Sequence, residues 1–230
     1  MNFPEPEDYI NIHSHGASPA KGIFTIETLL AHEEREPDST RGITYSFGIH
    51  PWHLDHNNHD QQLDLVLRYA GNPDIALIGE AGFDKIKGPS HELQAKTFEE
   101  QVRISEDYNK PLVVHCVRAW DDLLREHKRL NPNMPWLIHG FRGKPELASQ
   151  LIAKGMYLSF WFEFIMKPES TPLVKSVPWN RMFLETDGGD IDIRDIYKKV
   201  SEGLEVQVET LKARIFSNFC EFFKLNLFVP

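Results

Sequence analysis

Short apolar runs alternate with helical patterns, no linker interrupts them, and metal-ligand side chains stand at the ends of several different runs. These three observations predict an α/β fold, a (β/α)8 TIM-type barrel whose second strand is short or missing. Runs of three or four Ile, Leu, Val or Phe residues suit strands buried on both faces, as in parallel sheets. Helical crossovers can join such strands into an open doubly wound sheet or a closed barrel. Ligands rising from many strand ends favour closure, because an open sheet would spread them along a line.

The elements follow in order. Tyr9 to His13 reads as the first strand, and a loop with Gly16, Pro19 and Gly22 leads to a weak second strand around Ile23 to Ile26. Glu27 to Glu36 reads as helix, stopped by Pro37. Ile43 to Ile49 is a strand closed by Pro51, and Asp60 to Tyr69 is helix, ended by Gly71-Asn72-Pro73. Ile75 to Ile78 is a short strand leading into GEAGFDK. Ser90 to Tyr108 is the clearest helix, with Ser90 as its cap and Leu93, Phe98, Val102 and Ile104 on its apolar stripe. Leu112 to His115 is strand, Ala119 to Leu130 helix, Trp136 to His139 strand, Pro145 to Lys154 helix and Met156 to Phe160 strand. Met182 to Glu185 is the last strand, and one helix from Glu205 to Leu225 closes the chain.

With 230 residues, 41% of them hydrophobic, the chain can bury a large core, and residues 1–230 read as a single domain. No apolar stretch is long enough to span a bilayer, and the acidic start (Glu5, Glu7, Asp8) does not resemble a secretory leader. Two distant cysteines, Cys116 and Cys220, fit a reducing, cytoplasmic setting. The net charge of −9 argues against broad attraction to nucleic acid or membrane. It does not exclude a phosphate substrate, since two divalent cations would add about four positive charges at the site itself.

Six candidate metal ligands stand at strand ends: His13 and His15 in YINIHSH, Glu80 in IALIGE, His115 in PLVVHC, His139 in PWLIHG and Asp187 in MFLETD. The two-residue spacing of His13 and His15 points both the same way along a strand. A single histidine at a strand end is commonly a satisfied polar group. Four imidazoles and two carboxylates together suit one or two divalent transition ions.

The segments NIHSH, GIHPW, IGEAGFD, VVHCVRAWDDLL, IHGFRGKPELASQLIAKGMYLSF and LETD resemble, in order and spacing, the TatD family of metal-dependent hydrolases, over about Ile10 to Asp187. The resemblance implies a (β/α)8 barrel and two divalent ions (Zn, Mn, Mg, Fe or Ni). By the same resemblance, His13, His15 and Asp187 hold one ion, His115 and His139 a second, and Glu80 bridges the two. Asp187 also takes the proton from the attacking water, so Asp187 and Glu80 are the catalytic pair. The chain departs from the family pattern in places. Asn11 stands where Asp is usual; if this position orients a ligand histidine, Asn can accept a hydrogen bond but brings no charge. Trp52 replaces a common histidine, Lys85 a common tyrosine, and Gly188-Gly189 an Ala-Pro. These changes bear on substrate more than on metal.

His50, Arg118 and Arg142 are expected to bind substrate, the arginines as phosphate clamps, with Lys85 and Lys87 as weaker candidates. Asp84 reads equally as a partner of the site or as a turn residue. His53, His56 and His59 read as solvated surface, Trp161, Phe162 and Phe164 as packing, and Cys116 as a buried structural thiol. The predicted activity is hydrolysis of a phosphodiester, with single-stranded DNA as a candidate substrate and no protein partner implied. Hydrolysis of a small amide, lactone or ester is the alternative, and a non-catalytic metal binder the third reading.

Overall fold

A computed structural model describes residues 3–16 and 18–225. The first half of the chain runs β1 (Tyr9–Ser14), β2 (Ile23–Leu30), β3 (Thr44–Gly48), α1 (His59–Ala70), β4 (Ile75–Asp84), α2 (His91–Asp107), β5 (Leu112–Val117) and α3 (Trp120–Leu130). The second half runs β6 (Trp136–Phe141), α4 (Pro145–Ile152), β7 (Tyr157–Phe160), α5 (Phe162–Ile165), α6 (Thr171–Ser176), β8 (Met182–Leu184), α7 (Ile193–Leu204) and α8 (Val208–Phe222). All eight strands belong to one sheet in the order of the sequence. The pairs β3–β4, β4–β5, β5–β6 and β7–β8 are parallel. The Asp187 amide, just past β8, donates to the His13 carbonyl of β1 at 3.2 Å. This succession is that of the (β/α)8 TIM-type fold. Among the described residues no helix is long and apolar enough to cross a membrane.

Two compact units share the sheet. One is Glu27–Ile138; the other joins the residues up to Ile26 to those from His139 onward. In the first, Phe98 of α2 packs between Phe83 (ring centroids 4.9 Å apart) and Trp136 (5.2 Å). In the second, Phe183 and Tyr157 pack on Phe222 of α8, at 5.6 and 5.1 Å. Tyr197 of α7 is fully buried, and its hydroxyl accepts from the Ile10 amide (3.0 Å) and donates to the Ile10 carbonyl (3.1 Å). A buried phenol needs such partners, and here they pin α7 to β1.

Three expectations fail. No helix covers Glu27 to Glu36: β2 continues through Leu30, and only a 3-10 turn, Ala31–Glu33, follows. The second strand is thus neither short nor missing. Ile26, Leu29 and Leu30 mimic a helical stripe, but this strand is buried on both faces and needs no alternation. Glu27, fully buried, is held by Arg35 (2.6 Å) and Arg41 (2.8 Å).

The expected closing helix is α8, and a further helix, α7, precedes it. Asp192 caps α7 by accepting from the Arg194 amide at 2.9 Å, a start signal the sequence reading passed over. Lastly, β4 does not stop at Ile78 but runs to Asp84, so Glu80 sits inside a strand. Gly82 allows this. Its φ is +148°, and a Cβ there would lie 1.9 Å from the His115 carbonyl oxygen, so β4 approaches β5 only through glycine.

Candidate metal centre

In the first unit, β4 delivers Glu80, β5 delivers His115, and the turn after β3 delivers His50, all buried. Glu80 Oε1 lies 3.0 Å from His115 Nδ1 and 3.0 Å from His50 Nε2. The two ring nitrogens are 3.3 Å apart. Ligand bonds of 2.0–2.1 Å place tetrahedral donors about 3.3 Å apart, so Glu80 and His115 fit a divalent ion.

With His50, the ligand atoms of these residues all lie within 4.8 Å of one another. The His50 Nδ1 accepts from the Trp52 amide at 3.0 Å, which puts the proton of the neutral ring on Nε2. That Nε2 stands 3.0 Å from Glu80 Oε1.

In the second unit, the predicted parity holds: His13 and His15 both face Asp187. Asp187 Oδ1 is 3.2 Å from His13 Nε2 and 3.8 Å from His15 Nε2. The ligand atoms of these three residues lie within 4.8 Å of one another. Imidazole nitrogens around a carboxylate are a donor set for zinc, manganese or iron. The ring of His139, on β6, lies 4.3 Å from that of His13. His15 and Asp187 are partly exposed and His13 is buried. Asp187 has φ +50° and Gly188 φ +74°, so the chain turns sharply right after β8 and leaves the carboxylate beside the histidines.

Sequence reading missed Glu185. It is fully buried, accepts from the Gly140 amide (2.7 Å) and the Ser159 hydroxyl, and stands 3.6 Å from His139 Nδ1. Its signal was an acid two residues before Asp187 at the end of an apolar strand. That two-residue spacing, like the one between His13 and His15, points both acids to the same side along a strand.

Asn11 pairs with Thr186. Its side chain accepts from the Thr186 amide (3.0 Å) and donates to the Thr186 hydroxyl (2.9 Å), which in turn donates to Ser14 (3.0 Å). Asn can both accept and donate, so it ties β1 to the segment that carries Asp187.

Asp84 proves to be a partner of the site. Its Oδ2 accepts from the Trp52 indole at 2.6 Å and faces His115 Nε2 at 3.1 Å. Burial alone would push this carboxyl up. Hydrogen bonds from Trp52, His115 and the Lys87 and Ile86 amides outweigh it and hold Asp84 below the usual carboxylate range. Lys85 is taken by Asp122 at 2.6 Å, and Lys87 lies over the Trp52 ring at 3.8 Å.

Arg118 is exposed just past β5, in the first unit, at φ +54°. Arg142, in the second, is exposed with its guanidinium 4.0 Å above the Trp161 ring. Gly189 carries no side chain for a clear reason: a Cβ there would meet the Phe162 ring at 2.4 Å.

His59 overturns the surface reading of its cluster. It is buried, with Nδ1 2.7 Å from Asp60 and Nε2 2.7 Å from Glu100, and so ties α1 to α2. His56 is exposed as expected, while His53 stacks on His32 at 3.7 Å. Burial pushes the Cys116 thiol up to about 12, partly offset by the Ala119 amide, which fits the structural reading.

The family model described as TatD related DNase matches residues 14–224. An uncharacterized metal-dependent hydrolase of Methanocaldococcus jannaschii is 25% identical over 198 residues, 80% of this chain and 77% of that protein. The 3′-5′ ssDNA/RNA exonuclease TatD of Escherichia coli is 28% identical over 169 residues, 67% of this chain and 61% of that protein. Among solved structures, a TatD homologue from Escherichia coli has TM-score 0.76 at 18% identity, covering 96% of this chain and all of that one, a likeness of fold. The strand order, the ligand pattern and the family match agree: the chain belongs to the TatD related DNase family of metal-dependent hydrolases.

Proposed function

We propose that this hydrolase cleaves phosphodiester bonds, with nucleic acid ends as substrate and two divalent ions (Zn, Mn, Mg, Fe or Ni) as cofactors. One observation carries the reading. Imidazole and carboxylate donors stand at ligand spacing in each unit, Glu80 with His115 in one and His13 and His15 with Asp187 in the other, with His139 beside His13. The named exonuclease relative supports the choice of substrate. Bound divalent ions would supply Lewis acidity, making water more acidic and offsetting charge on a phosphoryl oxygen.

In this reading Asp187, partly exposed, accepts the proton of the attacking water as its oxygen bonds to phosphorus and the phosphorus–oxygen ester bond breaks. In the second unit the exposed guanidinium of Arg142 takes a non-bridging oxygen, and Trp161 beneath it holds that charge in place; Arg118 is the phosphate-binding residue of the first unit.

A second reading, hydrolysis of a small amide, lactone or ester, is favoured by one feature of the second unit. A cleft of about 440 Å³ beside His15 is lined by Ser14, Thr186, Gly188, Asp190 and Arg194. Arg194 is already engaged by Asp192 at 2.9 and 3.0 Å, so this cleft offers phosphate little positive charge. The test is to strip the full chain with chelator and restore zinc, manganese or magnesium. Metal-restored release of nucleotides from single-stranded DNA is the expected result. Turnover confined to amides or lactones would transfer the case to the second reading. Stoichiometric metal without turnover of either substrate class would make the protein a binder only.

A further inference from the structure

Asp84, at the end of β4, accepts from four directions. Its Oδ1 takes the amides of Ile86 (2.7 Å) and Lys87 (2.9 Å), while Oδ2 takes the Trp52 indole and faces His115 Nε2. Gln94 of α2 fixes the backbone beneath it, accepting from the Asp84 amide (2.8 Å) and donating to the Asp84 carbonyl (3.0 Å). Three N–H groups that can only donate converge on its two oxygens, so Asp84 is placed as an acceptor toward His115 as well. The proton between it and His115 therefore belongs to the imidazole.

We infer that Asp84 and Trp52 are positioning residues that set the tautomer of His115: Asp84 keeps the proton on Nε2, Trp52 keeps Asp84 in place, and Nδ1 is left as the ligand atom beside Glu80. The statement about ligation rests on the metal reading above; the statement about the tautomer does not. Geometry gives Trp52 its part. An indole N–H can only donate, so Trp52 neither ligates nor titrates here. Its ring is 41% exposed, so its removal opens no core cavity. Metal-binding histidines are commonly oriented this way, through the nitrogen that does not ligate, and losing the partner weakens the site.

The test uses the full chain, labelled with nitrogen-15 in histidine and freed of metal. Long-range proton–nitrogen correlation reads the His115 tautomer, and competition with a chromophoric chelator reads zinc affinity. Wild type should show the proton on Nε2. In Asp84→Asn the amide can donate to Nε2, so the proton should move to Nδ1 and zinc affinity should fall about 10–100-fold. Trp52→Phe should keep the tautomer and weaken zinc by about threefold to tenfold. A purely structural pair would lower stability without moving tautomer or affinity. An Nδ1-protonated His115 in wild type overturns the inference, as does an Asp84→Asn variant with both readouts unchanged. If that variant does not fold, unchanged zinc affinity in Trp52→Phe overturns the role of the indole, and the wild-type spectrum still decides the tautomer. Wild type with the Nε2 proton but no zinc uptake supports the tautomer and sinks the metal reading, so the two failures stay distinct.

Discussion

Asp187 is asked to do two things, to hold an ion with His13 and His15 and to accept a proton, and one substitution separates them. Asn keeps an oxygen at the same place, 3.2 Å from His13 Nε2, but is a far weaker base. Asp187→Asn should lower kcat by about 100-fold or more while most of the metal stays bound, measured by steady-state assay and elemental analysis of one preparation. Retention of full turnover would falsify its role as base. Arg142 lies outside the ligand group, stacked on Trp161, so its removal should act on binding. Arg142→Ala should raise KM for a phosphodiester by about tenfold, a loss of about 1.4 kcal/mol, and leave KM for a neutral ester within about twofold. An equal rise for both substrates would remove Arg142 from phosphate recognition. The six ligand candidates were legible in the sequence because each stands at the end of a short apolar run. Glu185 was not legible, because only its approach to His139 distinguishes it from an ordinary buried acid.

At the scale of elements, α7 is the part the sequence reading missed, and Tyr197 is what anchors it. Its hydroxyl satisfies both the amide and the carbonyl of Ile10, on the strand that carries His13. Tyr197→Phe leaves both groups buried with one partner fewer and should cost about 1–3 kcal/mol in urea unfolding. A loss under about half a kcal/mol would mean that Ile10 finds another partner on relaxation. The same contrast explains the error at β2. A strand covered on both faces has no polar side, so Ile26, Leu29 and Leu30 carry no mark that separates strand from helix. The boundaries of β4 escaped for a related reason. The run Gly79 to Asp84 has only one bulky apolar residue, Phe83, and two glycines, and the close passage of β5 makes it strand.

For the whole molecule, pH dependence of stability has an identifiable contributor far from the metal ligands. Lys110, between α2 and β5, donates to the carbonyls of Ala70 (2.5 Å) and Asn72 (2.9 Å), and burial pushes its ammonium down to about 8. Its ordinary value is 10.5, so between about 8 and 10.5 the unfolded chain binds a proton that the folded one has lost. This group therefore makes stability rise with pH across that window, and adds nothing to the slope below or above it. Urea midpoints taken from pH 7.5 to 10 should rise more in the wild type than in Lys110→Met. Parallel curves would count against a depressed lysine.

The sequence by itself determined the alternation of strand and helix, the family, and the side chains fit to bind metal. Those depend on periodicity and on residue chemistry, which are local properties. Only the tertiary structure decided which protons sit where. His50 became a donor because of the Trp52 amide, and Asp84 became a partner of His115. Asn11 became a tie to Thr186. Each outcome is set by a hydrogen bond to a group whose distance and direction the fold imposes, and a bond of that kind leaves no trace in spacing or composition.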